Sequence, residues 1–250
     1  MKKVLVNFIQ DRSGSMQSVW AETLSGFKTF VKDLQDKSKD NGVKDEDIEY
    51  LFSLTTFDTQ VETPIIAKPI AEVSQDELVK HGPRGSTALY DAVGATITNT
   101  ETNRHGAEKI IVVVVTDGHE NSSREWDKDR LHTAIEAKLT AGDWTFTYLG
   151  TQPETWGDAA AIGVGVGSVA SYVGQHANAA YAATSHAVRG MSASADMGTR
   201  SLMMDYLAPE MEKAASMRVD RPTATQRPMP PVPTPRPAPG RKSTVGRRWK

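Results

Sequence analysis

The sequence predicts an α/β fold, a mostly parallel central sheet with helices on both faces, and three observations carry that prediction. Val4 to Ile9, Lys109 to Thr116 and Trp144 to Leu149 are continuous apolar runs of strand length, the pattern of parallel strands covered on both sides. Between such runs, apolar residues recur at three-to-four spacing, as on the buried face of a helix. Strands that alternate with helices imply crossover units and a parallel sheet.

In chain order, Val4 to Ile9 is the first strand, and it stops at Asp11-Arg12-Ser13-Gly14-Ser15. Trp20, Leu24, Phe27, Val31 and Leu34 then mark one face of a helix. Ile48 to Phe57 alternates more, and Asp58-Thr59 turns it into a short partner at Gln60 to Thr63, an antiparallel edge hairpin. Leu89, Ala92, Val93 and Ile97 mark the next helix, which leads to the most apolar strand, with its core Ile110 to Val115. After Trp144 to Leu149 and Gly150, the pattern gives a helix around Glu154 to Ile162 ending at Gly163, a last strand at Val169 to Val173 and an Ala-rich helix from Ala177 to Arg189. Residues 190–216 read as partly helical, with Met203, Met204, Leu207 and Met211 on one side as core or partner-packing residues.

At 250 residues and 38% hydrophobic content the chain can bury one good core, but its charge is uneven. Residues 217–250 hold nine Lys or Arg and one acid, a net of +8, which leaves −10 on residues 1–216. Eight of the thirteen prolines lie in the same stretch, including the alternation Pro231 to Pro239, which favours an extended segment without a packed core. The expected organisation is a globular domain over 1–190, a helical extension over 191–216 and a disordered basic, proline-rich tail over 217–250. Lacking cysteine, the chain can build no disulfide framework, thiolate metal site or cysteine nucleophile. Lys2 and Lys3 precede apolar residues, yet Asp11 and Arg12 interrupt that run too early for a signal peptide or a membrane span. A cytoplasmic protein without a membrane partner is the expectation.

The chemistry gathers at three loops. Asp11, Ser13 and Ser15 place a carboxylate and two hydroxyls within five residues, an oxygen set suited to Mg²⁺ or Mn²⁺. Gly85-Ser86-Thr87 precedes a helix, and Thr116-Asp117-Gly118 follows the most apolar strand. In an open parallel sheet the loops at the carboxyl ends of strands converge at the ligand crevice, so Asp11 and Asp117 can meet there. Each string alone has an ordinary alternative: Ser13 to Ser15 as a turn capping the first helix, Thr87 as the cap of the next, Asp117-Gly118 as a plain turn.

Taken together, Asp11, Ser13, Ser15, Thr87 and Asp117 resemble the metal-ion-dependent adhesion site of the von Willebrand factor type A family, over roughly residues 3–190. The resemblance implies a doubly wound sheet with one antiparallel edge strand. It implies Ser13 and Ser15 as direct ligands of Mg²⁺ or Mn²⁺, Thr87 as a direct or water-mediated ligand, and Asp11 and Asp117 acting largely through water. It further implies an open coordination position for a partner's Asp or Glu, hence a protein-binding module and not an enzyme. Small stand-alone members from bacteria and their viruses, which often work beside ring ATPases, set the expected partner class. Arg12 departs from the small or hydrophobic residue frequent there; with Ser86, His119 and Glu120 it is placed on a partner-binding rim.

Other chemistry ranks lower. An aspartyl-phosphate enzyme could use Asp11 with Mg²⁺, but the second Asp expected two residues on is Ser13. His119-Glu120-Asn121 lacks the second His of a metalloprotease, since position 123 is Ser. His81, His105, His132, His176 and His186 are scattered and read as surface residues. Gly163 to Gly167 lacks dinucleotide-binding spacing, and Gly240-Arg241-Lys242-Ser243-Thr244 lacks the first glycine of a phosphate loop. In the tail, Arg241, Lys242, Arg247, Arg248 and Trp249 could contact nucleic acid or an acidic surface, against the plainer reading of a solubilising linker.

Overall fold

The structure, a computed structural model, describes residues 1–36, 47–150, 159–164, 169–171 and 177–193. Six strands form one sheet: β1 (Lys2–Asp11), β2 (Ile48–Phe57), β3 (Val61–Pro69), β4 (Lys109–Thr116), β5 (Trp144–Gly150) and β6 (Val169–Ser171). Their order is β3-β2-β1-β4-β5-β6, and only β3, at one edge, runs antiparallel to its neighbour. The chain winds outward from β1 in one direction to β2 and in the other to β4. The carboxyl ends of β1 and β4 therefore flank the switch point, where a doubly wound sheet opens a crevice.

Among the described residues, α1 (Trp20–Gln35), α2 (Leu89–Thr102), α3 (Lys128–Ala141) and α4 (Ala177–Ala193) cover the sheet. Side chains alternate along each strand, so Val4, Val6 and Phe8 of β1 meet α1 and α4, while Leu5 and Ile9 meet the α2 and α3 layer. Phe8 is the centre of the first layer, with its ring 5.0 Å from Phe30, 5.4 Å from Phe27 and 6.4 Å from Tyr181. Each such fully buried ring is worth roughly 1.5–3 kcal/mol of transfer free energy. At the opposite end from the crevice, buried Lys109 donates to Met191 O at 2.8 Å and Lys2 to Ser192 O at 3.1 Å, two cations on the carbonyl end of α4. Burial, with the Lys2 charge beside it, pushes Lys109 down to about 8.

The edge hairpin is longer than its sequence signal: β3 runs to Pro69 rather than ending near Thr63. Pro64 and Pro69 are tolerated because β3 is the edge strand, and register shifts along β2–β3 absorb the irregularity. The α3 helix was not visible as an apolar stripe, since only Leu131 and Ile135 of its fourteen residues are buried. Its limits are set instead by Asp127, whose side chain accepts from the Arg130 N–H, and by left-handed Gly142. At the end of the expected 154–162 helix, Gly163 has φ 89° and its N–H donates to Ala160 O. Residues 154–158, the end of the last strand at 172–173, most of the 191–216 extension and the 217–250 tail lie outside the described residues.

Candidate metal centre

β1 delivers Asp11 to the crevice fully buried, at 0% exposure. Its two oxygens are engaged separately: Oδ1 accepts from the Ser13 N–H at 2.6 Å, and Oδ2 accepts from the Thr116 hydroxyl at 2.5 Å. The chain then makes a short 3-10 turn over Gly14–Ser18 before α1 begins. Ser13 Oγ lies 3.0 Å from Ser15 Oγ, and Ser15 in turn donates to Asp117 Oδ1 at 2.7 Å. Neither serine hydroxyl caps α1, and the Thr87 side chain does not cap α2. The ordinary capping alternatives therefore fail for both loops.

Two glycines let the loops close on one another. Gly14 N–H donates to Gly85 O at 3.1 Å, bringing the first and second loops together backbone to backbone. Gly85 has φ 67°, and a Cβ there would come within 2.7 Å of Thr59 Oγ1, so glycine is required on both counts. Gly118 supplies the third side. A Cβ placed on it would lie 3.3 Å from Ser15 Oγ, 3.4 Å from Thr87 Oγ1 and 4.0 Å from Asp11 Oδ2. Oxygens from two other loops thus face the open side of Gly118, where a Cβ would press on them.

The electrostatics are those of a site short of positive charge. Burial pushes the Asp11 carboxyl up to about 6, against the hydrogen bonds from Thr116 and Ser13 and with the Asp117 charge adding to the rise. Asp117 is likewise raised by burial, opposed by the Ser15 hydroxyl. Among the described residues no three His, Cys, Asp or Glu side chains gather to hold a metal ion. A cation in this crevice would be held by a mixed set of two carboxylates and three hydroxyls.

The expected rim residues divide. Ser86 and His119 are exposed beside the site. Arg12 is not on the rim: its buried side chain points away, with Nε 3.0 Å from Asp58 Oδ2 and a terminal nitrogen 2.9 Å from Glu62 Oε1. Glu120 is also turned inward. Its carboxylate accepts from the N–H groups of Tyr90, Ser122 and Ser123 and from the Ser123 hydroxyl. The tail residues Arg241, Lys242, Arg247, Arg248 and Trp249 lie outside the described residues.

Sequence reasoning missed the frame that holds these loops. The segment after β4 caps the start of α2: Asn121 Oδ1 accepts from the Thr87 N–H, Glu120 from Tyr90 and Ser123 Oγ from Asp91. Asp91 returns the favour by accepting from the N–H groups of Arg124, Glu125 and Trp126. The signal was present as the run of cap-forming residues Glu120 to Ser123 opposite an acid in the first turn of α2. On the other side, Arg84 ties its N–H to Arg12 O at 2.7 Å and its side chain to Asp58 and Glu62. His81, expected on the surface, is partly buried with Nδ1 3.4 Å from the Arg12 guanidinium, and burial and that charge both lower its pKa.

No family model and no curated protein matches the chain. Solved structures do. Proximal thread matrix protein 1 from the mussel byssus is similar at 17% identity, covering 77% of this chain and 46% of that one, with a TM-score of 0.55. The pilus adhesin SpaC from Lactobacillus rhamnosus GG is similar at 13% identity, covering 82% of this chain and 31% of that one, with a TM-score of 0.55. The chain spans less than half the length of either. Together with the strand order and the single antiparallel edge, these likenesses show the fold, a doubly wound, mostly parallel α/β sheet with helices on both faces.

Proposed function

We propose that this chain is a metal-dependent protein-binding module in which Asp11, Ser13, Ser15, Thr87 and Asp117 hold Mg²⁺ or Mn²⁺ and a partner's Asp or Glu completes the site. The observation that carries the reading is the cradle at Gly118, which Ser15, Thr87 and Asp11 face from two other loops. The donor set fits a hard divalent cation, because every group offered is an oxygen. When bound, the cation supplies a coordination position for an anionic oxygen.

The residues divide the work. Ser13 and Ser15 present neutral hydroxyls, and Thr87 a third, so little of the cation's charge is cancelled by direct ligands. Asp11 and Asp117 contribute negative charge from the buried side, and Thr116 and the Ser13 N–H fix the Asp11 carboxylate in place. The excess positive charge is what selects an acidic partner. Ser86 and His119, exposed beside the site, contact that partner.

The module is read as non-enzymatic. Ser13 stands where an aspartyl-phosphate enzyme needs its acid or base, and its hydroxyl faces Ser15. The expected setting is cytoplasmic and bacterial or phage-borne, beside an ATPase-associated complex. Among the described residues no helix is long and apolar enough to cross a membrane.

A pull-down with Mg²⁺, with chelator, and with Asp11→Ala tests the reading. Capture of a partner only by the parent chain with Mg²⁺ is expected, and equal capture in all three conditions contradicts it.

A further inference from the structure

We infer that the cleft between α2 and the β1–β3 side of the sheet receives the hydroxyl-bearing end of a small neutral polyol, independently of the cation site. The apolar core pattern breaks at this cleft. Leu5, Ile9, Leu51 and Phe57 face the α2 layer and are apolar, as a buried helix–sheet interface requires. On the same face of the same two strands stand Asn7, Ser53 and Thr55, all buried. Helix α2 answers them with buried Thr96 and Thr100 and with Asn99, and its C-cap Asn103 follows, both asparagines nearer solvent. Between them is a narrow cleft of about 40 Å³, with Ile66 and His105 among its walls.

The polar groups in this cleft are not all used by the protein. Thr96, Thr98 and Thr102 each donate a hydroxyl to the carbonyl four residues back, the usual arrangement for threonine inside a helix. Thr100 does not. Its Oγ1 accepts from Asn7 Nδ2 at 3.3 Å, and among the described residues its own hydroxyl proton meets no acceptor. Asn7 Oδ1 likewise meets no donor among the described residues. Thr100 is 4% exposed and Asn7 3%, and both line the cleft. One offers a donor and the other an acceptor to whatever enters the cleft.

Backbone strain is gathered at the same place. Ala67 at φ 43° and His105 at φ 51° are the only non-glycine residues with positive φ among the described residues. Ala67 is anchored by its N–H to Ser53 Oγ at 2.9 Å, and His105 by its N–H to Asn103 Oδ1 at 3.0 Å. Ser53, Asn103 and His105 all line the cleft. Strained residues persist where the surrounding structure holds them, and they cluster at ligand sites.

The lining sets the ligand's chemistry. It holds no carboxylate, ammonium or guanidinium, so an ion would enter without a counter-charge. Apart from the His105 imidazole it has no ring on which a base could stack. Hydroxyls and carboxamides both give and accept hydrogen bonds, as alcohol groups do, while Leu5, Ile66 and the threonine methyls meet C–H faces. A compact neutral polyol matches all of this.

The test is an NMR titration of the ¹⁵N-labelled full chain with glycerol, myo-inositol and D-glucose, and with glucose 6-phosphate as the charged counterpart. Chelator is present throughout, so the cation site does not contribute. Saturable shifts are expected at Thr100, Asn103 and His105 with at least one neutral probe, with the phosphate ester weaker than glucose. Thr100→Val keeps the shape and removes the hydroxyl, and it should weaken binding by roughly tenfold. Ile66→Trp, at a position 65% exposed and outside the core, should close the mouth and abolish binding with the fold intact. If Thr100→Val does not fold, Ile66→Trp decides alone. The inference is overturned if no neutral probe saturates, if the phosphate ester binds as tightly as glucose, or if a folded Ile66→Trp binds like the parent.

Discussion

Arg12 Nε lies 3.0 Å from Asp58 Oδ2, so the one cation in the first site loop is spent on the edge hairpin and not on the crevice beside it. The arrangement extends outward. Arg84, at the start of the threonine loop, pairs with the same Asp58 and with Glu62, and its N–H holds Arg12 O. Two site loops are thus fastened to one pair of acids at the end of β2 and the start of β3. The rim position expected of Arg12 is replaced by a positioning role, because its charge is met by two carboxylates.

Arg12 and Arg84 should differ sharply in what they contribute. Both the Arg12 and the Asp58 side chains are buried, and removing one partner of a buried pair typically costs about 3–5 kcal/mol. Arg84 has a side chain 56% exposed, and such pairs are worth at most about 1 kcal/mol. Urea unfolding should therefore show Arg12→Met losing several times more stability than Arg84→Met. Similar losses would mean that burial does not govern this cluster.

Asp11 should make the metal-free protein less stable as pH rises. A carboxyl raised from 3.8 to about 6 by burial adds stability that is fully present below pH 3.8 and lost as pH climbs through about 6. In chelator, Asp11→Asn and the parent should be equally stable near pH 4. By pH 7.5 the variant should be more stable by on the order of 3 kcal/mol. A difference that does not change with pH would contradict the burial assigned to Asp11.

Gly118→Ala should separate binding from folding. Its Cβ would sit 3.3 Å from Ser15 Oγ and 3.4 Å from Thr87 Oγ1, in the space those oxygens face. Stability should change by about 1 kcal/mol or less, while Mg²⁺ affinity by calorimetry falls roughly tenfold or more. Unchanged affinity would move the cation away from Gly118.

Asp91→Ala should loosen the wall of the site without touching it. Three backbone N–H groups, those of Arg124, Glu125 and Trp126, lose their common acceptor. A loss of roughly 1–3 kcal/mol and faster amide exchange confined to residues 118–127 are expected. Exchange spread evenly over the molecule would assign Asp91 to the core instead.

What was legible in the sequence follows from which forces are local. β1, β4 and β5 were readable because strands buried on both faces must be apolar along their whole length. The oxygens of Asp11, Ser13, Ser15, Thr87 and Asp117 were readable because strand ends fix where loops meet, and the fold brings all of them to one crevice. The inward turn of Glu120 was not, since an exposed acid and a helix-capping acid are the same letter until the second element is placed. Nor were the partners of Arg12, because Asp58 and Glu62 lie more than forty residues away and only the β1–β2 register, with Asp11 opposite Phe57, brings them alongside. The polarity of α3 hid it for the complementary reason: a helix held by two buried residues and its caps leaves almost no stripe.

The account rests on a single divalent-cation site formed by Asp11, Ser13, Ser15, Thr87 and Asp117, and the loss of the free Mn²⁺ electron paramagnetic resonance signal on titration with the full chain measures it most directly. One Mn²⁺ bound per chain, displaced by Mg²⁺ and lost in both Ser15→Ala/Asp117→Ala and Gly118→Ala, is the predicted result. Mn²⁺ uptake that is the same in the parent and in both variants would place the cation elsewhere and contradict the account.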